Sequence, residues 1–348
     1  MAGRIRDPLF DVSKFIAMFM VVLWHLLDWT SDVRSEIHYL VNFIIAVNMP
    51  LFFCISGYFA RGVIERMDSD KLMRRLILLM WPVLVFGCIE AVFEFCEQKI
   101  VFGEIPITAL KRILFTAWFF YALAWCDIIV FFAYKMVRSK WAFFASYLFV
   151  LILPTAPVVW NKSPVSNMLP FYLFGLCFLE RIIKHAKFNY IGSFCICIYL
   201  LCVFCGGNFW QNGIAFYTNY VDPYHFVLEN VVSLFFRMVL GISGVIGVLW
   251  LLKSLICILP QMAFLAPLGR VTLGMYFVSG MIIQHVLWNF GMRHYVSFPI
   301  VLAETILVYG LGYLLLVILK RSAWVNKLVF GEGLQWPVLF VRRIMKGL

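Results

Sequence analysis

Charge is what this 348-residue sequence has least of: Asp, Glu, Lys and Arg together make up 14% of it. Soluble domains carry about 25%, so a water-soluble enzyme or a nucleic-acid-binding domain is excluded. Acidic residues are the scarcer kind, 18 against 29 basic ones. Low-complexity linkers are missing, and no soluble domain is expected at either end. No internal repeat can be traced, which weighs against an inverted-repeat transporter. Cysteine is not scarce, but all ten residues fall in or beside apolar stretches, where a free thiol behaves as a small apolar group. Cys202 and Cys205 have C-x-x-C spacing without the surroundings of a redox or metal motif, and neither a metal site nor a tightly bound cofactor is expected.

What is there is hydrophobic: 64% of the residues are apolar and the mean hydropathy is +0.92. This composition predicts an all-α integral membrane protein, a bundle of about ten transmembrane helices. The apolar runs lie at about 10–29, 39–60, 76–96, 113–134, 141–160, 167–183, 188–206, 228–252, 268–290 and 298–319. The first is too long for a cleaved signal and lacks a small-residue cleavage site, so it is expected to remain as a span. With the N-terminus inside, 20 Lys and Arg fall on inner segments and 6 on outer ones. By the positive-inside rule both termini are cytoplasmic. The net charge of +11 is therefore a topology signal rather than a nucleic-acid patch. Residues 1–320 read as one transmembrane domain. Residues 321–348, with Trp324, Trp336 and Phe340, read as a basic amphipathic cytoplasmic tail along the inner leaflet. The outer segment 207–227 is rich in aromatics and amides, which suit the membrane interface or stacking on sugar faces.

His25 lies inside the first span. Lys14, eleven residues earlier, is only about 20° away around a helix axis, and Asp11 is about 40° away. Three ionisable groups in line on a membrane helix must face protein or water. A blander arrangement is an Asp–Lys interface anchor with a hydrogen-bonded structural His. By depth, Glu90 in span three, His285 in span nine and Glu304 in span ten fall in the same outer layer as His25. A His beside a carboxylate is a competent general base, and Glu90 or Asp28 could partner His25. Glu94 and Glu97 continue the Glu90 face and read as interface carboxylates in water. On the cytoplasmic side, Arg61, Arg66, Lys71, Arg74 and Arg75 either mark topology or grip a polyanion, since the Arg fork suits phosphate.

These residues carry a resemblance. Asp11-x-x-Lys14…His25 is followed by Met49-Pro-Leu-Phe-Phe-Cys-Ile-Ser-Gly57-Tyr58-Phe59 and Arg74-Arg75-Leu-Ile-Leu-Leu-Met-Trp-Pro82. Ala117-Trp118-Phe119-Phe120-Tyr121, Leu169-Pro-Phe-Tyr-Leu-Phe-Gly175 and Gly269-Arg270-Val-Thr-Leu-Gly-Met-Tyr276 come after, in order. Together they resemble the acyltransferase 3 family of bacterial membrane O-acyltransferases, across essentially the whole membrane region. The resemblance implies a multi-pass enzyme of the bacterial inner membrane. Such an enzyme takes an acyl group, usually acetyl, from cytoplasmic acyl-CoA to a hydroxyl of an extracytoplasmic glycan or glycolipid.

By that resemblance His25 takes the catalytic His position, Lys14 the basic position eleven residues before it, Arg74 and Arg75 the cytoplasmic Arg motif, and Trp118 the Trp of the fourth element. Together with the readings of depth and charge, the expected catalytic set is His25, Asp11, Lys14 and Glu90, the expected acyl-CoA-binding set Lys71, Arg74, Arg75 and Arg270, and the expected substrate pocket Trp118, Tyr121, Tyr276 and His285. Two places depart from the family pattern. The Arg-x-x-Arg element appears as Lys71-Leu-Met-Arg74 followed by Arg75, and the His that often follows the late Tyr is replaced near Ser279. A proton-coupled exporter of a glycan or small solute is the rival, because buried His, Glu and Arg serve transport too. The acceptor, the acyl group and the oligomeric state are not legible.

Overall fold

The computed structural model describes residues 7–29, 37–115, 117–139, 141–152, 162–205, 227–287 and 297–332, and among these every regular element is helical. The helices are α1 (Pro8–Trp29), α2 (His38–Ile64), α3 (Ser69–Cys96), α4 (Ile105–Phe115), α5 (Trp118–Val137) and α6 (Trp141–Ile152). Then come α7 (Lys162–Phe174), α8 (Glu180–Lys184), α9 (Phe188–Cys205), α10 (Val227–Ile258), α11 (Ala266–Arg270), α12 (Thr272–Met281), α13 (Phe298–Arg321) and α14 (Ala323–Phe330).

Among the described residues, seven helices are long and apolar enough to cross a membrane. The count is eight if Pro260–Arg270 and Thr272–Leu287, bent by 67°, form one broken span. The differences from ten even runs have local causes. Residues 105–115 form a separate helix, so Trp118 rather than residue 113 opens the next span. Run 141–160 is a 12-residue helix within its described part, and run 167–183 passes through a π turn at Gly175–Leu179. The bend in run 268–290 follows Gly269-Arg270. Segment 207–227, apart from its last residue, lies outside the described residues, as do Trp336 and Phe340.

Helix starts follow from side-chain chemistry. Pro8 occupies the first turn of α1, where a missing N–H costs nothing, and the Asp7 carboxylate accepts the Leu9 N–H at 2.9 Å. At α3 the N-cap Asp68 accepts the Lys71 N–H at 2.9 Å and holds the Lys71 ammonium at 2.7 Å. Hydrogen bonds from the Lys71 side chain and backbone keep Asp68 below the usual carboxylate range. Because α3 starts at Ser69, the cations 71, 74 and 75 stand on a helix instead of a loop.

The chain forms two compact units. One comprises Met1–Phe59 and Asn167–Tyr313. In it α1 packs on α11, α9 on α10, and α2 crosses α7 where Gly57 and Gly175 let the backbones meet. The other comprises Ala60–Ser166 and Leu314–Leu348. There α3 packs against α4 and α5, and α14 docks on α3. The Trp81 indole N–H donates to the Leu328 carbonyl at 2.7 Å, and the Phe330 ring lies 6.3 Å from Phe86.

Candidate functional site

In the first unit Asp11 is the hub. It is 1% exposed, in the first turn of α1, where the helix dipole favours a carboxylate. Lys14 Nζ lies 3.7 Å from Oδ1 and Arg270 Nε lies 3.2 Å from Oδ2. Arg270 reaches Asp11 because Gly269 lets α11 touch α1: a Cβ at 269 would stand 1.7 Å from the Asp11 carbonyl oxygen. The Lys14 ammonium also sits 4.7 Å over the Phe59 ring, and Phe10 stacks on Tyr58 at 4.5 Å. The Asp11-x-x-Lys14, Gly57-Tyr58-Phe59 and Gly269-Arg270 motifs thus converge on one node. Asp11 is about 21 Å along the helix from His25, so its carboxylate holds Lys14 and Arg270 and does not orient the imidazole.

His25 is exposed, although Leu26 and Leu27 beside it are buried. Asp28, one turn on, is exposed too. The level of His25 follows from the packing. Tyr309 on α13 meets Phe15 at 5.1 Å and Phe19 at 6.1 Å on α1. A Cβ at Gly312 would lie 2.8 Å from Met275 and 3.5 Å from Val278 on α12. Counting about 1.5 Å per residue from these contacts puts His25, His285 and Glu304 within about 5 Å of one level. His285 and Glu304 are buried, and the Glu304 Oε1 has no hydrogen-bond partner among the described residues. Tyr276 is half-buried on α12.

The second unit holds the remaining sequence-derived residues. Lys71 is committed to its helix cap, Arg74 is exposed, and Arg75 Nε lies 2.6 Å from Asp127 Oδ2. Trp118 is half-buried at the start of α5, and the Tyr121 hydroxyl donates to the Ile113 carbonyl at 2.6 Å, pinning α4 to α5. Glu90 does not stand alone. The Arg112 guanidinium on α4 donates to Glu94 from Nε at 2.8 Å, touches it again from Nη2, and lies 3.8 Å from Glu90. Glu90 and Glu94 are both buried, so the reading of Glu94 as a carboxylate in water is corrected: α4 folds back over it with a cation.

Arg112→Ala is expected to leave two buried carboxylates a turn apart, at a cost of about 3 kcal/mol. Thermal unfolding in detergent reads this loss, and adding Glu94→Gln should recover most of it. Among the described residues no three His, Cys, Asp or Glu side chains gather as a metal-ligating group.

Two members escaped the sequence reading. Asp127 is a charge in the middle of an apolar run, which is itself a signal of function or pairing. Arg112 is one of the six outer-side basic residues in the sequence, where nothing marks its carboxylate partners.

A family model described as an acyltransferase domain matches residues 8–320. The nodulation protein NolL of Sinorhizobium fredii is 30% identical over 193 residues, covering 52% of this chain, and the chain spans 51% of that relative. The nodulation protein NolL of Mesorhizobium japonicum is 24% identical over 352 residues, covering 94% of this chain and 90% of the relative. No solved structure matches.

Proposed function

Because the chain belongs to the acyltransferase family, we propose that it is a membrane O-acyltransferase that uses acyl-CoA. It moves an acyl group, acetyl first, from the cytoplasmic donor to a hydroxyl of an extracytoplasmic glycan or glycolipid. The observation that carries this reading is the family match across residues 8–320, which includes every motif of the Asp11–Lys14–Arg270 node. The proposed setting is the bacterial inner membrane, crossed ten times with both termini in the cytoplasm.

The Arg74 and Arg75 side chains take the donor phosphates, and the pantetheine arm runs beside Lys14 toward His25. His25 accepts the proton of the acceptor hydroxyl as its oxygen attacks the thioester carbonyl. The C–S bond breaks, and the imidazolium returns the proton to the departing thiolate. Tyr276 and His285, in the same unit as His25, are the proposed acceptor contacts. A relay in which His25 is itself acylated is chemically equivalent in balance, and trapping an acyl-enzyme without acceptor would select it.

The test is thiol release from acetyl-CoA by purified protein in detergent, with a cell-envelope glycan fraction as acceptor. Acceptor-dependent release is the expected result. Release is also what separates this reading from a proton-coupled exporter, which has no gradient to use in detergent and consumes no thioester. Silence with acetyl-CoA, succinyl-CoA and other short acyl-CoAs would overturn the proposal.

A further inference from the structure

We infer that Asp127 is the positioning residue of the donor-phosphate grip, fixing Arg75 so that Arg75 and Arg74, and not Lys71, meet the phosphates. This rests on the acyl-CoA reading above. The five cations between residues 61 and 75 look equivalent in sequence, but the structure gives them different commitments. Arg61 pairs with Glu65 at 2.9 Å, and the Arg66 Nε donates to the Gly62 carbonyl at 2.8 Å. The Lys71 ammonium is held 2.7 Å from Asp68 at the N-cap of α3. Arg74 is exposed and makes no ion pair among the described residues.

Arg75 is the unusual one. Its partner Asp127 is 1% exposed within α5, 52 residues away in sequence, while Arg75 itself keeps 25% of its side chain exposed. A carboxylate buried within a spanning helix is expensive and marks a specific role. One role is neutralisation alone, for which a fully buried Arg would serve as well. An Arg clamped at its base by a buried carboxylate and still reaching the surface is instead a preorganised fork, with less side-chain freedom to lose when it binds phosphate. Arg74 and Arg75 each lie within one turn of Lys71 on α3, so the fixed Arg75 and the exposed Arg74 stand at the same end of the helix.

The experiment compares acetyl-CoA with S-acetylpantetheine, which carries the same thioester and no phosphate, in wild type and Asp127→Asn, with the same glycan fraction as acceptor. Wild type should favour acetyl-CoA by at least about 100-fold in kcat/KM. Asp127→Asn should raise KM for acetyl-CoA at least tenfold, with kcat at saturating donor and kcat/KM for S-acetylpantetheine within about threefold of wild type. The exchange Arg75→Asp with Asp127→Arg should restore the melting temperature, because the buried pair is re-formed. It should not restore the preference, because the cation now sits on the wrong helix.

Undiminished preference in Asp127→Asn overturns the inference, as does a parallel loss on both donors, which marks a purely structural pair. Restored preference in the exchanged protein overturns it too. If wild type uses both donors equally, the phosphate grip falls while the acyltransferase reading stands. If it uses neither, the acyltransferase reading falls first and takes this inference with it.

Discussion

His25→Ala is expected to lower acceptor-dependent thiol release by about 10²- to 10⁴-fold, the usual contribution of a positioned general base, while leaving the melting temperature unchanged. The two halves of that expectation come from different observations. The size of the loss follows from the role proposed for the imidazole. The unchanged stability follows from its exposure: the side chain leaves the core at the point where Leu26 and Leu27 remain in it, so truncation opens no cavity. A structural histidine would reverse the pattern, with stability lost and turnover kept. Turnover within about tenfold of wild type would move the base elsewhere, and His285, at the same level, is the group to replace next. Asp11→Asn offers a contrast. It strips the charge that holds Lys14 and Arg270, about 21 Å from the imidazole, so its effect should fall on donor KM before kcat.

Much of this architecture is legible in the sequence because it is local. The three ionisable groups of α1 announce themselves by helical spacing. What the sequence hides is who pairs with whom across the chain. Arg270 and Asp11 are 259 residues apart and Arg75 and Asp127 are 52 apart, beyond any i, i+3 or i, i+4 rule. Glu94 reads as solvated because its partner Arg112 sits at the end of a short helix that hydropathy alone merges into the next span. Hydropathy sums apolar content and is blind to one helix ending at Phe115 and another starting at Trp118 within a single apolar run. For the same reason the bent pair around Gly269-Arg270 counts as one straight span on paper. Its bend is what delivers Arg270 to Asp11.

The glycines of the Gly57-Tyr58-Phe59 and Leu169…Gly175 motifs supply the second large effect. A Cβ at Gly57 would stand 2.0 Å from the Tyr172 carbonyl oxygen, and a Cβ at Gly175 would stand 1.9 Å from that of Cys54. Both obstacles are backbone, and the residues that own them are fully buried, so neither can yield as a side-chain tip would. Small residues at such crossings let membrane helices approach closely. Gly57→Ala and Gly175→Ala should each cost about 3 kcal/mol or more, the upper end of overpacking, read as thermal unfolding in detergent.

The two losses should not add. Each glycine faces the other helix at the same crossing, so the separation that admits one methyl relieves the second. The double variant should fall short of the sum by about 1 kcal/mol or more. Additive losses would mean two independent contacts, and wild-type melting in either single variant would mean the helices lie farther apart than described. Activity should suffer beyond the loss of folded protein. Gly57 is two residues from Phe59, whose ring supports the Lys14 ammonium at 4.7 Å, so spreading α2 from α7 displaces Lys14 from the Asp11 node. The motif glycines would then act on donor KM through Lys14, the cation that the Phe59 ring supports.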